Sequence, residues 1–360
     1  MATLTPKFCA FKRVCITIPC IKVLKRNYMG NVQQERTEQK IHPYKQIHPY
    51  KQIHPWKSLM GFSEDLLKNV IYNKDGLVAL NKPYGIRPRA PEMSDKSSGN
   101  RVPNGVDYTL SDALPYIADQ LNYSNLSIVR SPEMYMSGIT LLAVDARVQH
   151  AIEVAIIRSN YFAKTYWVIT VGVPRQLKGQ YRLAMKLVSN PQFKDKKTVL
   201  TESWTNREHK LGKIKLVKTE FQTLSNSTLN LSSLVQIKSS TERRHTLRLF
   251  ASTFLYSPIL GDNSSCASRI QKVGDTYVKI DPFLVHPAPP KLDTRLLKLL
   301  NVRPSNQTII PVHIHLRSVV LPEFFGETLT IEAPLMPYFE WTCRQLEFKY
   351  FMQNNISSVE

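Results

Sequence analysis

The sequence predicts an α+β fold. Short runs rich in β-branched and aromatic residues dominate it, and helical stretches intervene between them irregularly rather than in strand–helix alternation. An apolar fraction of 42% is enough to build a globular core. Taken in order, Ser63 stands before an apolar stripe and reads as the N-cap of a first helix. Residues 77–80 (Leu-Val-Ala-Leu) form a short buried strand, and 91–107, rich in Ser, Asp, Asn, Gly and Pro, form a loop. Residues 139–144 read as a strand, 147–159 as a helix and 166–171 as a strand. Further strands are expected at 215–224, 234–237, 277–280 and 312–317. Residues 178–213 show no clear period and receive no element.

The chain carries 48 Lys+Arg against 28 Asp+Glu, a net charge of +20. Its first 60 residues hold eleven basic and two acidic residues, which leaves 37 and 26 for the remainder, a body of +11. A basic body favours a polyanionic partner, because neutralising phosphates releases counterions. No acid precedes Glu35, whereas Lys7, Lys12, Arg13, Lys22, Lys25 and Arg26 do; this acid-poor, basic pattern is that of a mitochondrial targeting leader over 1–35. No stretch reaches the ~20 apolar residues of a membrane span. Beyond the leader only Cys266 and Cys343 remain, without metal-ligand spacing, so neither a disulfide framework nor a zinc site is expected.

Between 36 and 60 lies a repeat: Ile41-His-Pro-Tyr-Lys-Gln, Ile47-His-Pro-Tyr-Lys-Gln, Ile53-His-Pro-Trp-Lys. A proline every six residues forbids a regular helix, and three units are too few for a solenoid. The segment is expected to be an extended spacer, with His42, His48 and His54 as bystanders. A globular domain over 61–345 and a tail over 346–360 complete the organisation.

Several segments share a family pattern when taken in order. Asn81-Lys82-Pro83-Tyr84-Gly85 follows a strand. Lys164-Thr165-Tyr166 opens another that ends at Gly172. Arg243-Arg244-His245-Thr246-Leu247-Arg248 precedes Ser257-Pro258-Ile259-Leu260-Gly261-Asp262. Near the end come His313-Ile314-His315-Leu316-Arg317 and Ala333-Pro334-Leu335. Together these resemble the NKPxG turn, K-x-Y strand, GRxHQIR and GD segments and APLP turn of the RluA family of RNA pseudouridine synthases, most of all its animal mitochondrial branch. The resemblance covers about 64–345. It implies a pseudouridine synthase fold, with a mixed, mostly antiparallel sheet, flanking helices and a central RNA-binding cleft. It also implies isomerisation of a flipped uridine without metal or organic cofactor, and a place in the mitochondrial matrix, with mitochondrial RNA and RNA-granule or mitoribosome assembly proteins as partners.

Carried over by position, the resemblance makes Tyr166 the aromatic platform for the base, since stacking offsets the cost of flipping. It makes Arg248 the cation that keeps a buried carboxylate ionised, with Leu247 as an apolar wall. Lys82, Arg130, Lys164, Arg243 and His245 take RNA-facing or loop-holding positions, while Asn81, Pro83 and Gly85 shape a turn.

The catalytic segment itself departs from the pattern. The family has HRLDRxTSG, and the matching slot is Arg130-Ser131-Pro132-Glu133-Met134-Tyr135-Met136-Ser137-Gly138, with Glu133 where aspartate stands. Glutamate keeps the charge but is one methylene longer, and a ~1 Å misplacement costs on the order of 100-fold in rate. Glu242 replaces the glycine of the third motif and Thr246 its glutamine. Three readings stay open: a slow enzyme using Glu133, an enzyme whose acid comes from elsewhere, or an RNA binder without catalysis. His313 and His315, with no third ligand spaced to join them, are expected to be a packed or RNA-facing pair. No nucleophile elbow, P-loop or dinucleotide fingerprint occurs.

Overall fold

The computed structural model describes residues 47–90, 106–159, 162–274, 276–285 and 289–356. The expected leader, the first hexapeptide of the repeat and nearly all of the 91–107 loop lie outside these. From the N-terminal side come α1 (Leu59–Lys68), β1 (Val70–Lys74), β2 (Leu77–Lys82), α2 (Leu110–Gln120), β3 (Ser127–Arg130), β4 (Ser137–Ala143) and α3 (Ala146–Arg158). The middle of the chain forms β5 (Lys164–Val171), β6 (Lys178–Asn190), β7 (Phe193–Thr201), α4 (Asn206–Lys210), β8 (Ile214–Asn226), β9 (Ser232–Ser239) and α5 (Thr246–Thr253). Then follow β10 (Ile270–Val273), β11 (Thr276–Lys279), α6 (Thr294–Leu299), β12 (Ile314–Phe324), β13 (Glu327–Glu332), α7 (Pro337–Gln345) and α8 (Lys349–Ile356).

Eleven strands make one mixed sheet in the order β1-β2-β4-β12-β5-β9-β8-β6-β7, with β3 added to β4 and β13 to β12. β4 and β12 run parallel, and every other ladder described is antiparallel. The α+β class read from the sequence is therefore the observed one. β2 is buried at every position because it is covered on both faces. Leu77 and Ala79 face the main core, while Val78 and Leu80 pack with Phe62, Leu66, Leu110 and Ile117 of α1 and α2.

Four expectations are corrected. Ser63 is not the cap of α1: Ser58 is, its hydroxyl accepting from the Gly61 N–H, while Ser63 is buried within the helix and donates to the Leu59 carbonyl. The unassigned stretch from 178 onward is the β6–β7 hairpin and α4. Its period is faint because only Leu183, Ala184 and Met185 reach the core and both ends of β6 project into water. Residues 348–356 are not a loose tail, since Phe348 and Phe351 are buried and Tyr350 meets the Trp167 ring edge-on.

The fourth correction concerns the repeat, whose second and third units pack on the domain rather than spanning space. Tyr50 is 3% exposed, with its hydroxyl 2.8 Å from Thr342 Oγ1 and its ring edge-on to Trp341 and His313. His48 Nε2 lies 2.9 Å from the Leu300 carbonyl and His54 Nε2 2.6 Å from that of Tyr84. Proline still excludes a long helix, but Pro49 opens a short 3-10 turn, Pro49–Lys51, that carries Tyr50 into its slot. Tyr50→Ala should therefore lower the unfolding free energy by roughly 3 kcal/mol in urea titration, the usual cost of removing a buried aromatic; a spacer would show no change.

Candidate active site

The NKPYG turn at the end of β2 holds the altered catalytic segment. Lys82 is fully buried and donates to three backbone carbonyls: Pro83 and Ile86 at 3.1 Å, and Met136 at 2.7 Å. The Gly85 N–H donates to Met134 at 2.8 Å, and Asn81 Nδ2 to Pro334 at 2.9 Å. One turn thus binds the 133–136 bend on both sides and the Ala333-Pro334-Leu335 turn beside it. Lys82 was expected to face RNA; burial removes it from solvent, and its work is to position Met136. Burial also pushes its pKa down to about 7.

At Gly138 the chain enters the parallel pairing with β12. Its φ is +113°, and a Cβ there would lie 2.3 Å from the Leu316 carbonyl oxygen, so only glycine allows this approach. Beside it, Ser137 Oγ is 2.9 Å from His315 Nδ1 and 3.2 Å from the Tyr338 hydroxyl. His313 and His315 are both buried near Phe339, and burial holds each at a pKa of about 3. They are neutral packing groups.

Register brings Tyr166 into place: it pairs with Leu316 of β12 on one side and Ile237 of β9 on the other. Its hydroxyl donates to Glu242 Oε2 at 3.1 Å, and Lys164 Nζ donates to Oε1 of the same carboxylate at 2.6 Å. Lys164, expected at RNA, is bound to Glu242 with only 12% of its side chain exposed. Burial raises the pKa of Glu242, but the charge and hydrogen bond of Lys164 and the bond from Tyr166 more than offset it, and the net shift is downward. Glu133 moves the other way: burial lifts it, a bond from Tyr135 and the charge of Arg248 oppose, and Glu242 lifts it further.

Arg244 and His245 both have left-handed backbones, with φ of 55° and 59°, and this bend turns the chain into α5. It leaves Arg243 exposed within electrostatic reach of Glu133, and puts Arg248 at 2% exposure in the first turns of the helix. The guanidinium of Arg248 forms an ion pair with Asp262, Nε to Oδ1 at 3.6 Å, both side chains buried, and its charge also acts on Glu133. Asp262 follows Gly261, where a Cβ would lie 2.0 Å from the Pro311 carbonyl. The Tyr135 ring covers the guanidinium, with the carbon at 3.3 Å from the ring centroid. Tyr135 bonds Glu133 and lies 3.3 Å from His245 Nδ1; burial holds that imidazole at a pKa of about 4, so it is neutral. Leu247 is core, and Arg130 points toward Glu153 of α3 at 3.9 Å.

Tyr166, Arg248 and the 130–138 segment thus converge, in a closed arrangement: Tyr166 is 1% exposed and Tyr135 3%. A cavity of about 660 Å³ borders Asp262 on another side, lined by Asn263, Lys272, Tyr277 and Arg295, and neither Glu133 nor Tyr166 lines it. The sequence did not point to Tyr135 over Arg248, to Asp262 as the partner of Arg248 or to Glu242 as the partner of Lys164 and Tyr166. The glycine-to-glutamate change at 242 was the one signal for them. Among the described residues no group of three His, Cys, Asp or Glu side chains is placed to hold a metal, and no helix is long and apolar enough to cross a membrane.

The mixed sheet with its flanking helices is similar in fold to a solved pseudouridylate synthase domain. The fold matches the solved human RNA pseudouridylate synthase domain-containing protein 4, with a TM-score of 0.59 and 23% identity over 80% of this chain and 97% of that one. In sequence the chain is 28% identical over 287 residues to the mitochondrial pseudouridylate synthase RPUSD4 of Mus musculus, covering 76% of this chain and 68% of that protein. It is 26% identical over 291 residues to the mitochondrial mRNA pseudouridine synthase RPUSD3 of Homo sapiens, covering 78% and 77%. No family model matches. In sequence and fold the chain is similar to the mitochondrial pseudouridylate synthases.

The buried lysine generates a pH signature. The unfolded chain keeps the Lys82 proton to about pH 10, whereas the folded chain releases it near 7. Folding is therefore favoured increasingly as pH rises between those values, by at most roughly 1.4 kcal/mol per pH unit. Urea unfolding at pH 7 and pH 9 should show this gain in the wild type and its absence in Lys82→Met. An equal pH response in the two proteins would show that the buried amine keeps its proton across this range.

Proposed function

We propose that this chain binds mitochondrial RNA and isomerises a uridine in it to pseudouridine. The observation that carries the reading is the convergence of Glu133, Tyr166 and Arg248 from three distant segments on one buried cluster. The reaction breaks the C1′–N1 bond, forms C1′–C5 and moves one proton from C5 to N1, so it needs an electrostatic site and a proton carrier rather than a redox centre. A mitochondrial setting is supported by the acid-poor basic leader and by relatives named mitochondrial. Charge supports RNA as the partner: residues 178–218 hold eleven Lys/Arg against three Asp/Glu, and Lys178, Arg182, Lys196, Arg207, Lys210, Lys213 and Lys215 are exposed. For a base to reach Tyr166, the Tyr135 ring must leave the face of Arg248.

One observation favours a second reading, an RNA-binding factor of the RNA granule or mitoribosome with impaired catalysis. Arg248 has Asp262 as its ion-pair partner, and the Tyr135 ring lies where a guest would approach the guanidinium.

Purified protein incubated with mitochondrial transcripts, followed by base-resolution mapping, should install pseudouridine. Tyr166→Phe, which loses the bond to Glu242, should lower the rate at least ~10-fold while RNA affinity stays within a few-fold. Retention of RNA with no product in the wild type would instead establish the binding factor. In either case log affinity should fall linearly with log salt, with a slope of about −0.7 per phosphate neutralised on single-stranded RNA.

A further inference from the structure

We propose that Glu242 is the carboxylate that faces the ribose during isomerisation, with Glu133 as its proton-carrying partner. The inference rests on the isomerase reading and divides the work of one family aspartate between two glutamates.

Glu242 stands where the resembled motif has glycine, at the start of the bend formed by Arg243, Arg244 and His245. Its carboxylate is the group on which Tyr166 and Lys164 converge, at 3.1 and 2.6 Å. Glu133 approaches from the opposite bend, held by Tyr135. Cations are unequally shared between the two. Lys164 is in direct contact with Glu242, whereas Arg248, whose charge acts on Glu133, is in ion contact with Asp262. A buried carboxylate remains ionised when a cation is bound to it and takes up a proton when burial and a like charge prevail. The opposite shifts of Glu242 and Glu133 follow from that allocation, and two carboxyl groups driven apart in this way form an acid–base pair. Glu242 keeps 16% of its side chain exposed, beside the exposed Arg243 and Arg244, which are placed to meet a phosphate backbone.

The chemistry closes without an outside reagent. Glu133 gives its proton to N1 as the C1′–N1 bond breaks and its electron pair stays with the uracil. The ionised Glu242 stabilises the positive charge left at C1′. The base turns, C5 attacks C1′, and the C5 proton passes to Glu133, restoring it. Nothing is oxidised or reduced.

The test is single-turnover pseudouridine formation between about pH 3.5 and 8.5 on a mitochondrial transcript fragment, a range that reaches below the usual carboxylate value because Lys164 holds Glu242 down, with RNA binding and thermal melting measured in parallel. The wild-type rate should fall at low pH as Glu242 protonates and at high pH as Glu133 loses its proton. Glu242→Gln should cost at least ~100-fold and remove the acid limb from the residual rate, and Glu133→Gln should remove the alkaline limb. Lys164→Met, which leaves both carboxylates in place, should move the acid limb to higher pH, a change that a purely structural role would not produce. It also serves as the reporter if Glu242→Gln does not fold. A Glu242→Gln protein that binds RNA and reacts at the wild-type rate would overturn the proposal, as would an acid limb unmoved in Lys164→Met. A folded wild type that binds RNA and forms no pseudouridine would overturn the isomerase reading itself, and this division with it.

Discussion

The ammonium of Lys82 is enclosed by protein and satisfied by three main-chain carbonyls, one of them in the bend that carries Glu133. An unsatisfied charge at that depth would cost several kcal/mol, so the three acceptors are held where the lysine needs them. Through the same turn, Gly85 grips Met134 and Asn81 grips Pro334. The catalytic bend is short, contains no helix or strand of its own between β3 and β4, and has lost the two arginines of the family pattern. Its geometry is therefore imposed from outside, by a buried cation and by the glycine that lets Gly138 touch β12.

Around that frame the site is a matter of which anion meets which cation. Three carboxylates, Glu133, Glu242 and Asp262, lie around two cations, the buried Arg248 and the half-buried Lys164. Lys164 is fastened to Glu242 and Arg248 to Asp262, and Glu133 is left with hydrogen bonding from a tyrosine and longer-range charge. A dry setting amplifies such differences, so one carboxylate is held ionised while its neighbour is pushed toward protonation. Tyr135 completes the closure by covering the guanidinium. The cluster is packed shut, with Tyr135 and Tyr166 both buried.

The hexapeptide repeat has a structural role of similar kind. His48, Tyr50 and His54 dock against the Leu300 carbonyl, Thr342 and the Tyr84 carbonyl, and the last of these belongs to the NKPYG turn. The segment ahead of the domain thereby reinforces the turn that holds the catalytic bend.

Local pattern was enough for the class of fold and for most strands of the sheet. A two-residue alternation and a glycine at a close approach are written in consecutive residues. Pattern failed where an element protrudes from the core, as in β6 and β7, because a strand exposed on both faces has no period to read. It also failed where a side chain's role depends on what lies opposite. Lys82 as a clamp, Lys164 and Tyr166 on Glu242, and Asp262 as the partner of Arg248 were decided by tertiary structure alone. Tyr166 and Glu242 are 76 positions apart and meet only through the register of β5 on β9. The amino-acid order determines which groups can ionise; burial and neighbours brought in by the sheet determine which of them do.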